Sequence, residues 1–184
     1  MQDVSEEILT KAAKGDIPSF EAVYRAAAGF VYNVAYRIVN NREDAQEVAQ
    51  EVFLNVYRQL KGFHFSSSFK TWVYRITVNC AINFARKEAK NKTMQGGRPS
   101  AEEAASGDMP TRINQEHRCK IVDDILSFLN PEQRACVVLR SMEGFSYRQI
   151  AQALRININT VRSRLKRARE KLLAHRKKAA YEHL

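Results

Sequence analysis

Three groups of side chains have the types and spacing to do chemistry. Near the C-terminus, Arg162, Ser163, Lys166 and Arg167 lie in a basic stretch. At about 100° per residue, Val161, Leu165, Ala168 and Leu172 gather on one side of a helix, and those four polar residues fall opposite or on the flank. A guanidinium can pair bidentately with guanine in the major groove, and a hydroxyl adapts as donor or acceptor. Lys and Arg further along such a helix suit phosphates. In the middle of the chain, Thr71, Arg75, Val78, Asn79, Ile82, Asn83 and Arg86 form a stripe turned away from an apolar one. Asn is a poor mid-helix residue, and amides that bond exposed base edges are one reason to place two of them four apart. The third group, Glu47, Gln50, Glu51, Leu54 and Arg58, shares the outer face of an acidic helix. Solvent alone does not require a leucine there.

Catalysis finds little support in these groups. The acidic residues Asp44, Glu47 and Glu51 lie on a helix exterior with no histidine partner and no glycine-rich phosphate loop. His64, His117, His175 and His183 are far apart, so no metal site is expected. Cys80, Cys119 and Cys136 are odd in number and widely spaced, which suits reduced thiols of a cytosolic protein. No cofactor and no small-molecule substrate are expected.

The elements that must carry these groups are helical. Seven Gly and four Pro are few for a turn-rich β protein, so the fold class is all-α. Phe20, Val23, Tyr24, Ala27, Val31, Val34, Ala35 and Ile38 keep the spacing of one buried stripe. Asn41 caps a second helix, with Ala45, Val48, Ala49, Val52, Phe53, Val56, Tyr57 and Leu60 inward and Gly62 at its end. A serine of the loop before Phe69 caps a third, which buries Phe69, Trp72, Val73, Ile76, Cys80 and Phe84. Residues 89–117 hold three Gly and two Pro without apolar periodicity and read as a flexible linker, with a reach of roughly 30 Å. The expected architecture is therefore a three-to-four-helix N-terminal domain over 1–88, a linker over 89–117 and a four-helix C-terminal domain over 118–178.

In the second domain, Ile121, Val122, Ile125 and Leu129 mark a first helix. Asn130-Pro131-Glu132-Gln133 opens a second, which Gly144 stops, and Ser146-Tyr147-Arg148-Gln149 is a capping box for a third. A tight break at 155–159 then leads into the basic helix. This sequence of elements spells a helix-turn-helix. Charge agrees. Residues 1–60 hold 6 Lys/Arg against 9 Asp/Glu, and residues 155–184 hold 10 against 2. Clustered basic charge is a nucleic-acid footprint, and the acidic front suggests a second kind of partner. No apolar run of about 18 residues is present to span a membrane, so no membrane partner is expected.

Two motif blocks carry a resemblance over almost the whole chain. Asp44-Ala45-Gln46-Glu47-Val48-Ala49-Gln50-Glu51-Val52-Phe53 and Ser68-Phe69-Lys70-Thr71-Trp72-Val73-Tyr74-Arg75-Ile76-Thr77-Val78-Asn79 resemble the first domain of extracytoplasmic-function (ECF) sigma factors of the sigma-70 family. Gly144-Phe145-Ser146-Tyr147-Arg148-Gln149-Ile150-Ala151 and Asn159-Thr160-Val161-Arg162-Ser163-Arg164-Leu165 are similar to their second domain.

The resemblance implies a transcription initiation factor with core RNA polymerase and promoter DNA as partners. An anti-sigma factor is a further expected partner. It assigns −35 recognition to Arg162, Ser163, Arg164, Lys166 and Arg167. It assigns −10 recognition and melting to His64, Phe65, Arg75, Asn79, Asn83 and Arg86, with one flipped base held between the third helix and the loop before it. It assigns polymerase docking to Asp44, Glu47, Gln50, Glu51 and Leu54. His64, Phe65 and Ser66 depart from the charged residues and glycine common in that loop, which adds an aromatic where the flipped base is expected. Two other classes compete. A dimeric helix-turn-helix regulator would need no polymerase, but it leaves the acidic helix and the Asn-bearing stripe without a purpose. An enzyme is the third.

Overall fold

Local signals set the helix ends. In the computed structural model, which describes residues 3–94, 122 and 124–182, Ser5 caps α1 (Glu6–Ala13) through a bond from the Ile8 N–H. The chain turns at Gly15, whose φ of +94° suits glycine. Asp16 caps α2 (Ile17–Val39), accepting the Ser19 N–H at 2.9 Å. Asn40 ends α2 in the left-handed conformation, and Asn41 caps α3 (Arg42–Gln59) by accepting the Asp44 N–H at 3.0 Å. A 3-10 turn, Leu60–Gly62, follows. The serine that caps α4 (Phe69–Met94) is Ser68, whose Oγ accepts the Thr71 N–H at 3.1 Å.

α2 is the centre of the N-terminal half and packs on α1, α3 and α4. α1 was not among the expected long helices; at eight residues it is too short to repeat a periodic stripe. Tyr24 and Tyr57, expected inside the two stripes, are instead 47% and 46% exposed. Their rings lean on Phe53 and Phe20 at 4.5 and 4.9 Å, so each lies along the edge of the core. α4 runs to Met94, into the stretch read as a linker, and the remainder of that stretch, 95–117, lies outside the described residues.

In the C-terminal half, residues 124–127 are helical. Asn130 and Gln133 form both bonds of a capping box that opens α5 (Pro131–Val137). One π-type turn, Val138–Met142, leads to Gly144 at φ +72°. Ser146 and Gln149 form the capping box of α6 (Tyr147–Leu154), and Arg155 at φ +51° turns the chain toward α7 (Ile158–Glu182). Leu126, Leu129, Val138, Leu139, Ile150, Leu154, Val161, Leu165 and Ala168 are buried. Ile125, expected inside, is 43% exposed. His117, Cys119, Ile121 and His183 lie outside the described residues.

The two halves touch. α5 packs on both α2 and α4, and α6 packs on α4. Among the described residues no strand occurs, and no helix is long and apolar enough to cross a membrane.

Candidate nucleic-acid and protein interfaces

α3 carries the acidic face. Its caps and buried stripe leave Glu47, Gln50, Glu51 and Leu54 exposed on one side, with Asp44 half-buried at the first turn. Leu54 is 56% exposed, well out of the core. Asp44 sits where its charge complements the helix N-terminus.

α4 carries the amide stripe. At about 100° per residue, Arg75, Asn79, Asn83 and Arg86 fall within about 80° of one another. They are half-buried or exposed, while almost every other position from Phe69 to Ile82 is buried. Val78 and Ile82 correct the expectation that they share this outward stripe: they are 0% and 6% exposed. The reason is that α4 is packed on two sides, by α2 and α3 and by the C-terminal half. What remains open is a narrow polar strip.

The loop before α4 packs on the start of that helix. Phe63 is buried and lies 5.1 Å from Trp72 and 5.9 Å from Phe69, ring centre to ring centre. Trp72, 7% exposed, is a core residue. Phe65 packs on Phe63 at 4.8 Å yet remains 43% exposed. Its φ of +54° is a left-handed conformation that costs a non-glycine residue about 1–2 kcal/mol. His64 is exposed beside it. The loop thus offers an open aromatic ring, fastened to the first turn of α4 through Phe63.

α7 is the basic helix. Val161 and Ala168 are fully buried and Leu165 nearly so; Arg162, Lys166 and Arg167 are exposed, and Ser163 is half-buried. Arg162 donates to the Asn159 amide oxygen at 3.0 Å, which steadies it at the start of the helix. The Ser163 hydroxyl donates to the Thr160 carbonyl at 2.9 Å. Arg164 stands apart from the other four. It is half-buried and turned toward α5, where its charge helps lower the Glu132 pKa and it hydrogen-bonds Cys136. Burial nevertheless pushes the Cys136 thiol up to about 11, and does the same at Cys80.

Two features were not read from the sequence. Arg134 on α5 is 7% exposed, with its guanidinium donating to the Ile38 carbonyl at 2.7 Å and the Leu129 carbonyl at 3.0 Å. An arginine one turn into a capped helix gives no sign that it will be buried. An apolar cleft of about 660 Å³ also opens in the C-terminal half, with Ile125, Phe128, Tyr147, Leu165, Leu172 and Leu173 in its walls. Phe128 and Leu173 are 43% and 51% exposed. The misplaced Ile125 was its only available signal. Among the described residues no group of three or more His, Cys, Asp or Glu could hold a metal.

Residues 23–91 match the family model described as Sigma-70 region 2, and residues 119–172 match Sigma-70, region 4. The RNA polymerase sigma-H factor of Pseudomonas aeruginosa is 31% identical over 179 residues, which cover 92% of each chain. The ECF RNA polymerase sigma-E factor of Haemophilus influenzae is 32% identical, over 92% of this chain and 93% of its own. ECF RNA polymerase sigma factor SigE of Mycolicibacterium smegmatis is 32% identical over 166 residues; the match spans 87% of this chain and 63% of that longer relative. The fold is also that of the sigma factor RpoE from Bartonella quintana, solved with the anti-sigma factor NepR, at a TM-score of 0.62 and 20% identity over 88% of this chain and 98% of that one. It is similar as well to CnrH, solved with the cytosolic domain of CnrY, at a TM-score of 0.61 and 21% identity over 94% and 96% of the two chains.

Proposed function

Because the chain belongs to the ECF RNA polymerase sigma factors of the sigma-70 family, we propose that it binds core RNA polymerase and directs it to specific promoters. Members of this family are transcription factors rather than catalysts, and the proposal assigns this chain no reaction of its own. It works in the cytoplasm, on the nucleoid.

The domain division follows the two family matches: an N-terminal unit for polymerase docking and the −10 element, and a C-terminal unit for the −35 element. One observation carries the assignment of roles. Arg75 and Asn79 are the open polar positions on the stretch of α4 from Trp72 to Ile82, Asn83 and Arg86 continue their line, and the loop before α4 exposes the ring of Phe65. Stacking on an aromatic gives sequence-tolerant affinity of roughly 1–3 kcal/mol per base, and amides discriminate at a base edge. His64, in the same loop, completes the set. Arg162, Ser163, Lys166 and Arg167 read or anchor the −35 duplex, whereas Arg164 supports α7 from behind. Asp44, Glu47, Gln50, Glu51 and Leu54 dock on polymerase. An anti-sigma factor belongs to the same proposal, and the apolar cleft of the C-terminal half is a surface that a partner's helix would fill.

The deciding experiment is reconstitution. With core polymerase, the chain is expected to start transcription from particular members of a random promoter library, and to bind duplex promoter DNA only weakly without it. Tight binding of palindromic duplex by the free chain, with no retention of core polymerase in a pull-down, would establish the dimeric regulator instead.

A further inference from the structure

The loop that carries Phe65 is placed by a short chain of contacts. Among the described residues no hydrogen bond holds residues 64–67, so the contact of the Phe65 ring on Phe63 is what positions it. A non-glycine residue stays in the left-handed conformation only where its surroundings over-determine it. Phe63 is that anchor, and it has two fastenings. Its ring lies on Phe69 and Trp72 of α4. Its backbone N–H donates to the Leu60 carbonyl at 3.1 Å and so ties it to the 3-10 turn Leu60–Gly62.

A single 3-10 turn has poor hydrogen-bond geometry and needs support from outside. Leu60 is 2% exposed, and the turn is packed by the end of α3 and by α1. α1 has eight residues, too few for a helix that is stable alone. Leu9 and Ala12 are its buried face, and it packs on α2 and on this turn. The Gly15 N–H donates to the Ala12 carbonyl at 3.0 Å and the Asp16 N–H to the Lys11 carbonyl at 3.2 Å, which fixes how α1 folds back on α2. Two short elements, neither able to stand alone, therefore support each other directly under the anchor of the loop.

We propose that α1 is a positioning element for −10 recognition: its Leu9 and Ala12 face backs the Leu60–Gly62 turn, which holds Phe63 and so keeps the Phe65 ring where an unpaired base stacks. α1 touches no DNA in this role. The inference rests on the reading of the Phe65 loop as the surface that receives the base. Base preference then depends on a helix that precedes residues 23–91, the stretch matched to Sigma-70 region 2.

The test has a spectroscopic and a functional readout. Trp72 is the chain's one tryptophan and lies 5.1 Å from Phe63, so its fluorescence reports the anchor. In the full chain, Leu9→Ala should increase acrylamide quenching of Trp72. In holoenzyme at saturating core polymerase it should lower promoter opening about fivefold or more, the smaller end of what one stacked base contributes, and flatten the ranking of single-base −10 variants. Leu9→Met refills the site and should restore all three. Ile38→Ala, at the opposite end of α2 from Asp16, should lose a comparable amount of melting temperature and change neither quenching nor ranking. Should Leu9→Ala not fold by circular dichroism, Thr10→Gly with Lys11→Gly decides the matter, since both residues are exposed and glycine loosens α1 without touching its buried face. Unchanged quenching, an unchanged ranking, or the same shifts in Ile38→Ala overturn the proposal. Phe65→Gly judges the loop separately. If it lowers opening while the α1 variants do not, the support from α1 fails and the loop reading stands. If it leaves opening unchanged, the loop reading fails and the proposal falls with it.

Discussion

α4 and α7 are nearly equal in length, at 26 and 25 residues, and both are assigned to DNA, yet they are embedded differently. α7 buries one narrow stripe and shows Arg162, Lys166 and Arg167 to solvent. α4 is buried nearly all round from Trp72 to Ile82, where only Arg75 and Asn79 stay open, and Asn83 and Arg86 continue that strip. The difference teaches where a helical wheel can be trusted. A helix packed on one side has one apolar stripe, and everything else faces out. A helix wedged between two layers has two, and apolar residues of the second stripe, such as Val78, look outward until the second layer is known.

The sharpest way to break this contrast is to place a charge on each helix. Val78→Asp buries an unpaired carboxylate and should cost about 3 kcal/mol or more, whereas Lys166→Asp should change stability by no more than about 0.5 kcal/mol. Urea denaturation reads both, and similar midpoints would mean that Val78 is exposed in solution. For α7, Arg162→Ala and Arg167→Ala should each weaken use of the −35 element by roughly 1–3 kcal/mol where the contact is to a base. Where it is to a phosphate, every −35 variant should weaken alike and the salt slope should fall. A promoter series at two salt concentrations separates the two.

Phe65→Gly tests the loop beside α4. It relieves the left-handed strain but removes the exposed ring, so folding stability should hold while promoter opening falls broadly, by roughly 1–3 kcal/mol. Permanganate footprinting on the −10 variants measures this. On α3, Glu51→Lys and Leu54→Asp should lower core polymerase affinity about tenfold, or 1.4 kcal/mol, with melting temperature nearly unchanged. Unaltered affinity in both would remove the docking role from this face. The smallest effect belongs to Asn79→Ala, which should relax preference at one −10 position by about 1 kcal/mol and leave overall transcription close to normal.

Most element starts were legible in advance because they depend on neighbours in sequence. Asn41, Ser68, Asn130 and Ser146 each cap the helix that follows them. The acidic face of α3 and the basic face of α7 were legible for a related reason: each lies opposite a single buried stripe. The strip on α4 was legible in its four polar members and misjudged in Val78 and Ile82. Tyr24 and Tyr57 fit a stripe by spacing, but their hydroxyl-bearing rings settle at the edge of the core, and spacing does not distinguish edge from centre.

The sequence by itself determined the helical class, the caps, the order of the elements and the two motif blocks, because these follow from periodicity and from contacts three or four residues apart. Tertiary structure alone decided that Arg134 would be buried against the Ile38 carbonyl and that Arg86 would meet Glu132, 46 residues away. It alone decided that Ile125 and Phe128 would wall a cleft instead of filling a core. Such pairings depend on how whole helices pack, and the side chains that make them carry no local mark of their partner.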